Sequence, residues 1–173
     1  TYTLLTDIIE NASQTSYNTF SDQNIEFKIG MNGNWIKSNY NTIYWSTARD
    51  MARFGLLILN QGTWKEDVIL NDMNYFSNMT NTSQELNESY GYLWWLNGKN
   101  SLILPGFTTP VNSSLASNAP QDLIAGMGKN GQLIIVVPNQ NIVVIRMGEA
   151  PGDFLVPINF HNEMWYYLNE VLF

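Results

Sequence analysis

The sequence predicts an α+β fold in which an antiparallel sheet is flanked by helices. Two apolar runs, LIIVVP and IVVIRMG, are split by the polar segment PNQN at residues 138–141, which is typical of a β-hairpin. Amphipathic helical patterns lie on either side of this hairpin, at residues 46–62 and 154–172. Because both runs are apolar almost throughout, we expect both faces of the hairpin to be covered.

The first part of the chain predicts two short helices. Residues 3–12 place leucine and isoleucine at helical spacing, and residues 16–25 repeat such a pattern less clearly. The following stretch, FKIGMNGNWIKSNYNT, is rich in glycine and asparagine, so we expect a loop there.

The clearest helix is STARDMARFGLLILNQG, which begins at Ser46. Ser46 or Thr47 can act as the N-cap, and Asp50 lies in the first turn, where the helix dipole favours a negative charge. Gly62 ends the helix, because glycine adopts a left-handed conformation without a Cβ penalty. We interpret Arg49 and Asp50 as structural residues.

The second half alternates short strands with loops. Residues 71–80 predict a shorter helix, and YGYLWWLN at residues 90–97 predicts an aromatic strand. Residues 98–120 predict a loop with one short strand at SLIL, and LIAGMG predicts another strand before the hairpin. Trp94 and Trp95 alternate across the predicted strand, so we expect one to face the core and the other to be available to a cleft.

Composition excludes several classes of function. Only 13% of the 173 residues are charged, the net charge is −7, and the pI is about 4.5. So few cationic groups argue against a nucleic-acid partner. No run of about 18 apolar residues occurs, so we expect no membrane span. Without a linker or an internal repeat, we expect residues 1–173 to form one domain or a large part of a single domain.

The chain offers no pattern for a metal or another cofactor. It has no cysteine and one histidine, and its carboxylates are scattered, so we predict no metal site and no cofactor. We expect His161, on the terminal helix, to be structural and partly exposed. We expect Arg146, on the second hairpin strand, to form a structural ion pair.

Lys129 lies between glycines in the segment GMGKNGQ. A phosphate-binding loop needs G-x-x-x-x-G-K-[ST] before a helix, whereas Lys129 is followed by Asn130, Gly131 and a strand. This context argues against phosphate binding. The tripeptide alone leaves two interpretations open, a solvated lysine at the start of a strand and a cation of a catalytic site.

Three segments occur in a recognisable order: STARDMARFGLLILNQGTW, YGYLWWLN and GKNGQLIIVVPNQNIVVIRMG. Together they resemble the C-terminal part of the beta-lactamase-related serine hydrolases, which include class C beta-lactamases, DD-peptidases, esterases and nylon-oligomer hydrolases. The resemblance covers about residues 3–172. It implies a beta-lactamase/transpeptidase-like fold and an acyl-enzyme route, in which an amide, ester or lactam acylates a serine that water then releases.

The group carries three motifs, S-x-x-K, Y-x-N and a later K-T-G or H-x-G triplet. Lys129-Asn130-Gly131 matches the third triplet, with asparagine in place of threonine. The resemblance implies that this triplet heads a strand at the edge of the catalytic cleft. Lys129 would then supply a fixed positive charge, Gly131 would allow close approach of substrate, and the backbone N–H of Gln132 would stabilise the oxyanion.

Three further residues are candidates for substrate contact. Asn130 occupies the middle of the triplet, and Tyr92 and Trp94 belong to the aromatic segment that precedes it. The expected partner is a small-molecule or peptide substrate, and the resemblance favours a periplasmic or secreted location. Whether the enzyme would act as lactamase, peptidase or esterase stays open.

We interpret both S-x-x-K and Y-x-N as absent from the chain. The nucleophile would then lie upstream of Thr1, and the chain would be a fragment that is inactive alone. Such a fragment would expose apolar surface, which usually drives association.

Two other functions stay open from the sequence. One is a non-catalytic module, derived from the same family, that binds a ligand or a partner. The other is an acidic, aromatic-rich carbohydrate binder that uses the tryptophans, which explains YGYLWWLN but not the GKNGQ context. An upstream S-x-x-K would favour the hydrolase over the non-catalytic module.

Overall fold

The computed structural model describes residues 2–149, 151–152 and 156–172. The chain divides into two compact units, Thr1–Ile69 and Leu70–Phe173. Each unit contains helices and antiparallel strands, which agrees with the predicted α+β class. The expectation of a single domain stays a prediction.

The first unit combines helices with two hairpins. Its helices are α1 (Leu5–Ser13), α2 (Tyr17–Ser21), α3 (Phe27–Ile29) and α4 (Ala48–Leu59). Its strands are β1 (Gly33–Ser38), β2 (Asn41–Ser46), β3 (Thr63–Trp64) and β4 (Asp67–Val68). The helices predicted within residues 3–12, 16–25 and 46–62 are confirmed. A π-helical turn, Asp22–Glu26, joins α2 to α3.

The stretch predicted as a loop contains the β1–β2 hairpin instead. Trp35 pairs with Tyr44 across the two strands, and the Trp35 ring packs edge-on against Tyr17 of α2 at 4.9 Å. The buried Glu26 carboxylate accepts hydrogen bonds from the Trp35 indole N–H at 3.1 Å and the Tyr44 hydroxyl at 2.8 Å. The prediction was wrong because glycine and asparagine obscured the alternation of half-buried and exposed residues that marks a strand.

The start of α4 is held by the predicted cap. The Thr47 hydroxyl accepts a bond from the Asp50 backbone N–H at 3.2 Å. The Asp50 carboxylate in turn accepts bonds from the hydroxyls of Ser46 and Thr47, at 3.0 and 2.6 Å, and pairs with Arg53 at 2.9 Å. α4 ends at Leu59, earlier than the predicted end at Gly62, and Gln61 and Gly62 both have positive φ, 52° and 84°. Asp50 is therefore structural, as predicted.

The second unit is built on one antiparallel sheet with strand order β5-β6-β7-β8. The strands are β5 (Trp95–Leu96), β6 (Ile124–Met127), β7 (Leu133–Val137) and β8 (Ile142–Arg146), and the helices are α5 (Met73–Thr80) and α6 (Ile158–Leu172). The β7–β8 hairpin, α5, α6 and the short strand β6 confirm their predictions. The first residues of the predicted terminal helix, 154 and 155, lie outside the described residues.

The core of this unit lies between the sheet and α6. Trp165 of α6 is fully buried in one cluster with Leu133 and Ile135 of β7. Half-buried Met164 and Leu168 of α6 pack against the same cluster. Through these side chains α6 covers one face of the apolar hairpin.

The aromatic segment at residues 90–97 is mostly not a strand. Strand pairing is confined to β5 and an isolated bridge between Tyr90 and Trp95. Leu93 has a φ of 65°, which breaks the extended conformation between them. Trp94 and Trp95 are both buried, so the expectation that only one faces the interior was wrong. The predicted strand at SLIL is reduced to a single bridge, Leu102 with Val111.

Asparagine side chains hold the irregular segment between β5 and β6. Asn97 binds the backbone of residues 116, 119 and 120 through four hydrogen bonds of 2.9–3.2 Å. Asn87 binds both backbone groups of Ile103. Asn118 donates two bonds to Asn162, from its backbone N–H and its side-chain amide, and its carbonyl accepts one from the Asn169 side chain. These bonds attach the segment to α6. The amide groups replace the strand pairing that this segment lacks.

Part of the surface of α6 is apolar. A groove of about 480 Å³ runs along the helix. It is lined by Phe160, Glu163, Met164, Tyr167, Leu168 and Val171. Within the described part of the chain, no helix is both long enough and apolar enough to cross a membrane.

Candidate active site

The predicted triplet Lys129-Asn130-Gly131 forms a tight turn between β6 and β7. Asn130 and Gly131 both have positive φ, 63° and 72°, and β7 begins two residues later, at Leu133. β7 lies between β6 and β8, so it is an interior strand. The triplet is therefore the loop that enters the centre of this sheet, and the expectation that β7 borders a catalytic cleft stays a prediction.

The structure gives a packing reason for a glycine at position 131, which the sequence did not reveal. The residue is buried, and a Cβ built on it would lie 3.0 Å from the Arg146 guanidinium, 3.0 Å from Pro151 and 3.2 Å from Pro157. The space at this position is filled by the protein itself. Gly131 therefore permits close packing of the chain, and the predicted approach of a substrate to its backbone stays a prediction.

The side chain of Gln132 joins the turn to the segment after β8. Its amide nitrogen donates to the Gly148 carbonyl at 2.6 Å, and its amide oxygen accepts from the Gly148 N–H at 3.1 Å. The carbonyl of Gln132 accepts a bond from the Gly128 N–H at 2.8 Å, which closes the turn. The position of the Gln132 backbone is thus fixed from two sides.

Arg146 binds backbone carbonyls, and no carboxylate among the described residues pairs with it. Its guanidinium donates to the carbonyls of Asn130 and Gly131, both at 3.0 Å, and to Gly148 at 3.3 Å. It also lies over the Phe160 ring, 5.3 Å from the centroid. Among the described residues, Arg53 and Asp50 form the one ion pair, so Arg146 is structural by another route.

The candidate substrate contacts differ in exposure. Asn130 is exposed at the tip of the turn. Tyr92 is 42% exposed, and its ring contacts Tyr75 of α5 at 5.4 Å. Trp94 is only 6% exposed and offers little surface to a ligand. Exposure therefore favours Asn130 and Tyr92.

One feature next to the turn was missed by the sequence reasoning. β5 pairs with β6 only at Ile124 and Ala125, so Gly126 and Met127 lack a partner strand on that side within the described residues. Gly126 and Met127 are both half-buried, so part of this edge is open to solvent. The end of β6 thus presents an accessible strand edge directly before Lys129. In the sequence, the signal for this edge was the glycines at positions 126 and 128, directly before Lys129.

Of the two motifs predicted to be absent, S-x-x-K is absent and Y-x-N is not. No lysine of the chain has a serine three residues before it, so S-x-x-K is absent. The letters Y-x-N do occur, at Tyr167-Leu168-Asn169 in α6. This occurrence follows the triplet instead of preceding it, and Asn169 is engaged by the Asn118 carbonyl at 2.8 Å. Its order along the chain does not match the family pattern.

His161 is more buried than predicted. It is fully buried on α6, where its Nε2 accepts a hydrogen bond from the Trp165 indole N–H at 3.2 Å. Burial lowers the pKa of His161 to about 4. No group of three or more His, Asp or Glu side chains converges within the ranges that the structure describes.

Comparisons with known proteins identify the family. A profile of the Beta-lactamase family matches residues 1–154. Among solved structures, a protein described as a 6-aminohexanoate-dimer hydrolase from Bacillus anthracis superposes with a TM-score of 0.68 and 22% identity. The match covers 97% of this chain and 42% of that chain.

A second solved structure is a protein described as a beta-lactamase from Bacteroides dorei DSM 17855, with a TM-score of 0.59 and 14% identity. The match covers 92% of this chain and 54% of that one, so this chain spans about half the length of these structures or less. No curated protein matches the sequence. The family profile extends over most of the residues, and the chain belongs to the Beta-lactamase family.

Proposed function

We propose that this chain is the C-terminal portion of a serine hydrolase that cleaves amide, ester or lactam bonds through an acyl-enzyme. The observation that carries the proposal is the Lys129–Gln132 turn beside the accessible end of β6, in a chain of the Beta-lactamase family. The nucleophile and its base would be supplied by the part of the fold that this chain does not match, since S-x-x-K is absent here.

Each residue of the turn has a proposed role. Lys129 is exposed and has no carboxylate partner among the described residues, so its charge is available to a substrate. Asn130, also exposed, can donate or accept a hydrogen bond through its amide. Gly131 and Gln132 place the Gln132 backbone N–H as an oxyanion donor, which can be worth about 3 kcal/mol in the transition state.

The accessible end of β6 is the proposed binding edge for an extended substrate. Unpaired N–H and C=O groups on a strand edge can bond the backbone of a peptide or a linear amide. A 6-aminohexanoate dimer, named in the description of one similar structure, belongs to the class of linear amides. Tyr92, 42% exposed, is the aromatic side chain that we propose for substrate contact.

The proposal predicts that the 173-residue chain cannot be acylated. After incubation with a fluorophosphonate, and in parallel with penicillin, intact-mass spectrometry should show no adduct. The same chain extended upstream in its reading frame to include an S-x-x-K should gain one adduct. A stoichiometric adduct on the 173-residue chain would contradict the proposal, because the nucleophile would then lie within it.

A second prediction concerns Lys129. In the extended protein, Lys129→Ala should slow acylation roughly thirtyfold, since an interaction with a charged group is worth about 2 kcal/mol. Lys28→Ala, another exposed lysine, is the matched control and should leave the rate unchanged. The rate is measured from the time course of adduct formation. Equal rates for both variants would remove Lys129 from the site.

Association through the α6 groove is a third prediction. Val171 lines the groove and is 82% exposed. If the groove mediates self-association of the 173-residue chain, Val171→Asp should weaken it about tenfold, because burial of a valine contributes roughly 1.5 kcal/mol. Glu170→Ala, at an exposed position of the same helix but outside the groove, is the control. Sedimentation that shows a monomer at every concentration would contradict this prediction.

A further inference from the structure

Arg146 binds the turn at the two peptide groups that matter most for the proposed site. Its Nη1 lies 3.0 Å from the carbonyl oxygens of both Asn130 and Gly131. The guanidinium also binds the carbonyls of Gly148 and Glu149 and lies over Phe160 of α6. One side chain therefore joins the turn, the segment after β8 and the terminal helix.

Because a peptide group is planar, a bond to its carbonyl also fixes the direction of its N–H. The carbonyl of Gly131 and the N–H of Gln132 belong to one planar trans peptide, and they point in opposite directions. When Arg146 holds the Gly131 carbonyl, it also sets the direction of the Gln132 N–H. In the same way, its bond to the Asn130 carbonyl sets the direction of the Gly131 N–H.

Arginine suits this task better than lysine. A guanidinium presents five N–H donors in a rigid planar fork, so it can bind several carbonyls at fixed angles. The charge of the guanidinium polarises the two peptides that it binds. A polarised peptide is a stronger N–H donor. The Gln132 side chain supports the same arrangement through its paired bonds to Gly148.

We infer that Arg146 is a positioning residue, which aims the Gly131 and Gln132 backbone N–H groups at the oxyanion of the acylation step. The inference rests on the proposed function for the identity of the anion. The orientation of the two peptides by Arg146 can be tested without any activity.

The first measurement is backbone order by ¹⁵N relaxation on the 173-residue chain. In Arg146→Ala, the order parameters of the Gly131 and Gln132 amides should fall from about 0.85 to below about 0.6, while that of Ile135 in β7 stays near 0.85. Ethylguanidinium should restore the order in Arg146→Ala. Arg49→Ala, an exposed arginine of the first unit, is the control. Unchanged order at both amides, or equal loosening of β7, would overturn the inference.

The second measurement is the acylation rate of the extended protein carrying Arg146→Lys, which keeps the charge and the fold but loses the fork. The acylation rate should fall at least tenfold with little change in KM, because an oxyanion donor acts in the transition state. An unchanged rate would overturn the positioning role. If the unsubstituted protein is never acylated while the relaxation result holds, the proposed function fails and the orientation of the turn by Arg146 stands.

Discussion

Replacing Asn97 with alanine should lower the free energy of unfolding by about 3 kcal/mol. Asn97 is 4% exposed, and its amide nitrogen is shared by the carbonyls of Ala116, Ala119 and Pro120. Its amide oxygen accepts the Ala116 N–H at 2.9 Å. Each bond contributes about 1 kcal/mol, and Ala116 is itself buried, so the variant would leave a buried N–H without a partner.

Chemical denaturation of the purified variants measures this loss. Asn100→Ala, at an exposed position in the same segment, should change the unfolding free energy by less than about 0.5 kcal/mol. Asn97→Asp should cost more than Asn97→Ala above the carboxyl pKa, because an oxygen anion would then face three carbonyl oxygens. Equal stability of the Asn97 and Asn100 variants would show that water replaces the amide.

The sequence predicted elements whose periodicity is regular and failed where single residues decide the backbone. α4 and the β7–β8 hairpin were correct because apolar spacing and capping residues agree with each other there. The prediction of a strand in the aromatic segment before β5 was wrong, because Gly91 lies against the backbone of Met79. A Cβ at Gly91 would be 2.1 Å from the Met79 carbonyl oxygen, and this contact cannot be inferred from a local pattern.

In the candidate site, too, the local segment was predictable from the sequence and the long-range contacts were not. The sequence located Lys129, Asn130 and Gln132 in one short segment, which the structure describes as one turn. It could not reveal that Gly131 packs against Arg146, since these residues are brought together by the pairing of β7 with β8. Functional assignments within the turn thus come from the resemblance to the family, whereas its rigidity comes from contacts that are distant in sequence.

His161 should make the chain less stable as the pH falls from about 6.5 towards 4. Its Nε2 accepts the Trp165 indole N–H, so the neutral ring carries its hydrogen on Nδ1, which is buried without a partner among the described residues. Protonation would place a second hydrogen between Nε2 and the indole N–H and a charge in the core. Burial therefore lowers the pKa of His161 to about 4 in the folded chain.

The sign follows from proton uptake. Between pH 6.5 and 4 the unfolded chain binds a proton at His161 and the folded chain does not, so stability is full above pH 6.5 and is lost on acidification. Between pH 7 and pH 4.5 this loss amounts to roughly 2 kcal/mol. His161→Gln keeps an acceptor for Trp165 but cannot titrate, so it should lack this part of the pH dependence. Urea unfolding of both proteins at the two pH values isolates the difference from the carboxylates that they share. Parallel pH profiles would mean that the folded protein admits the proton at His161.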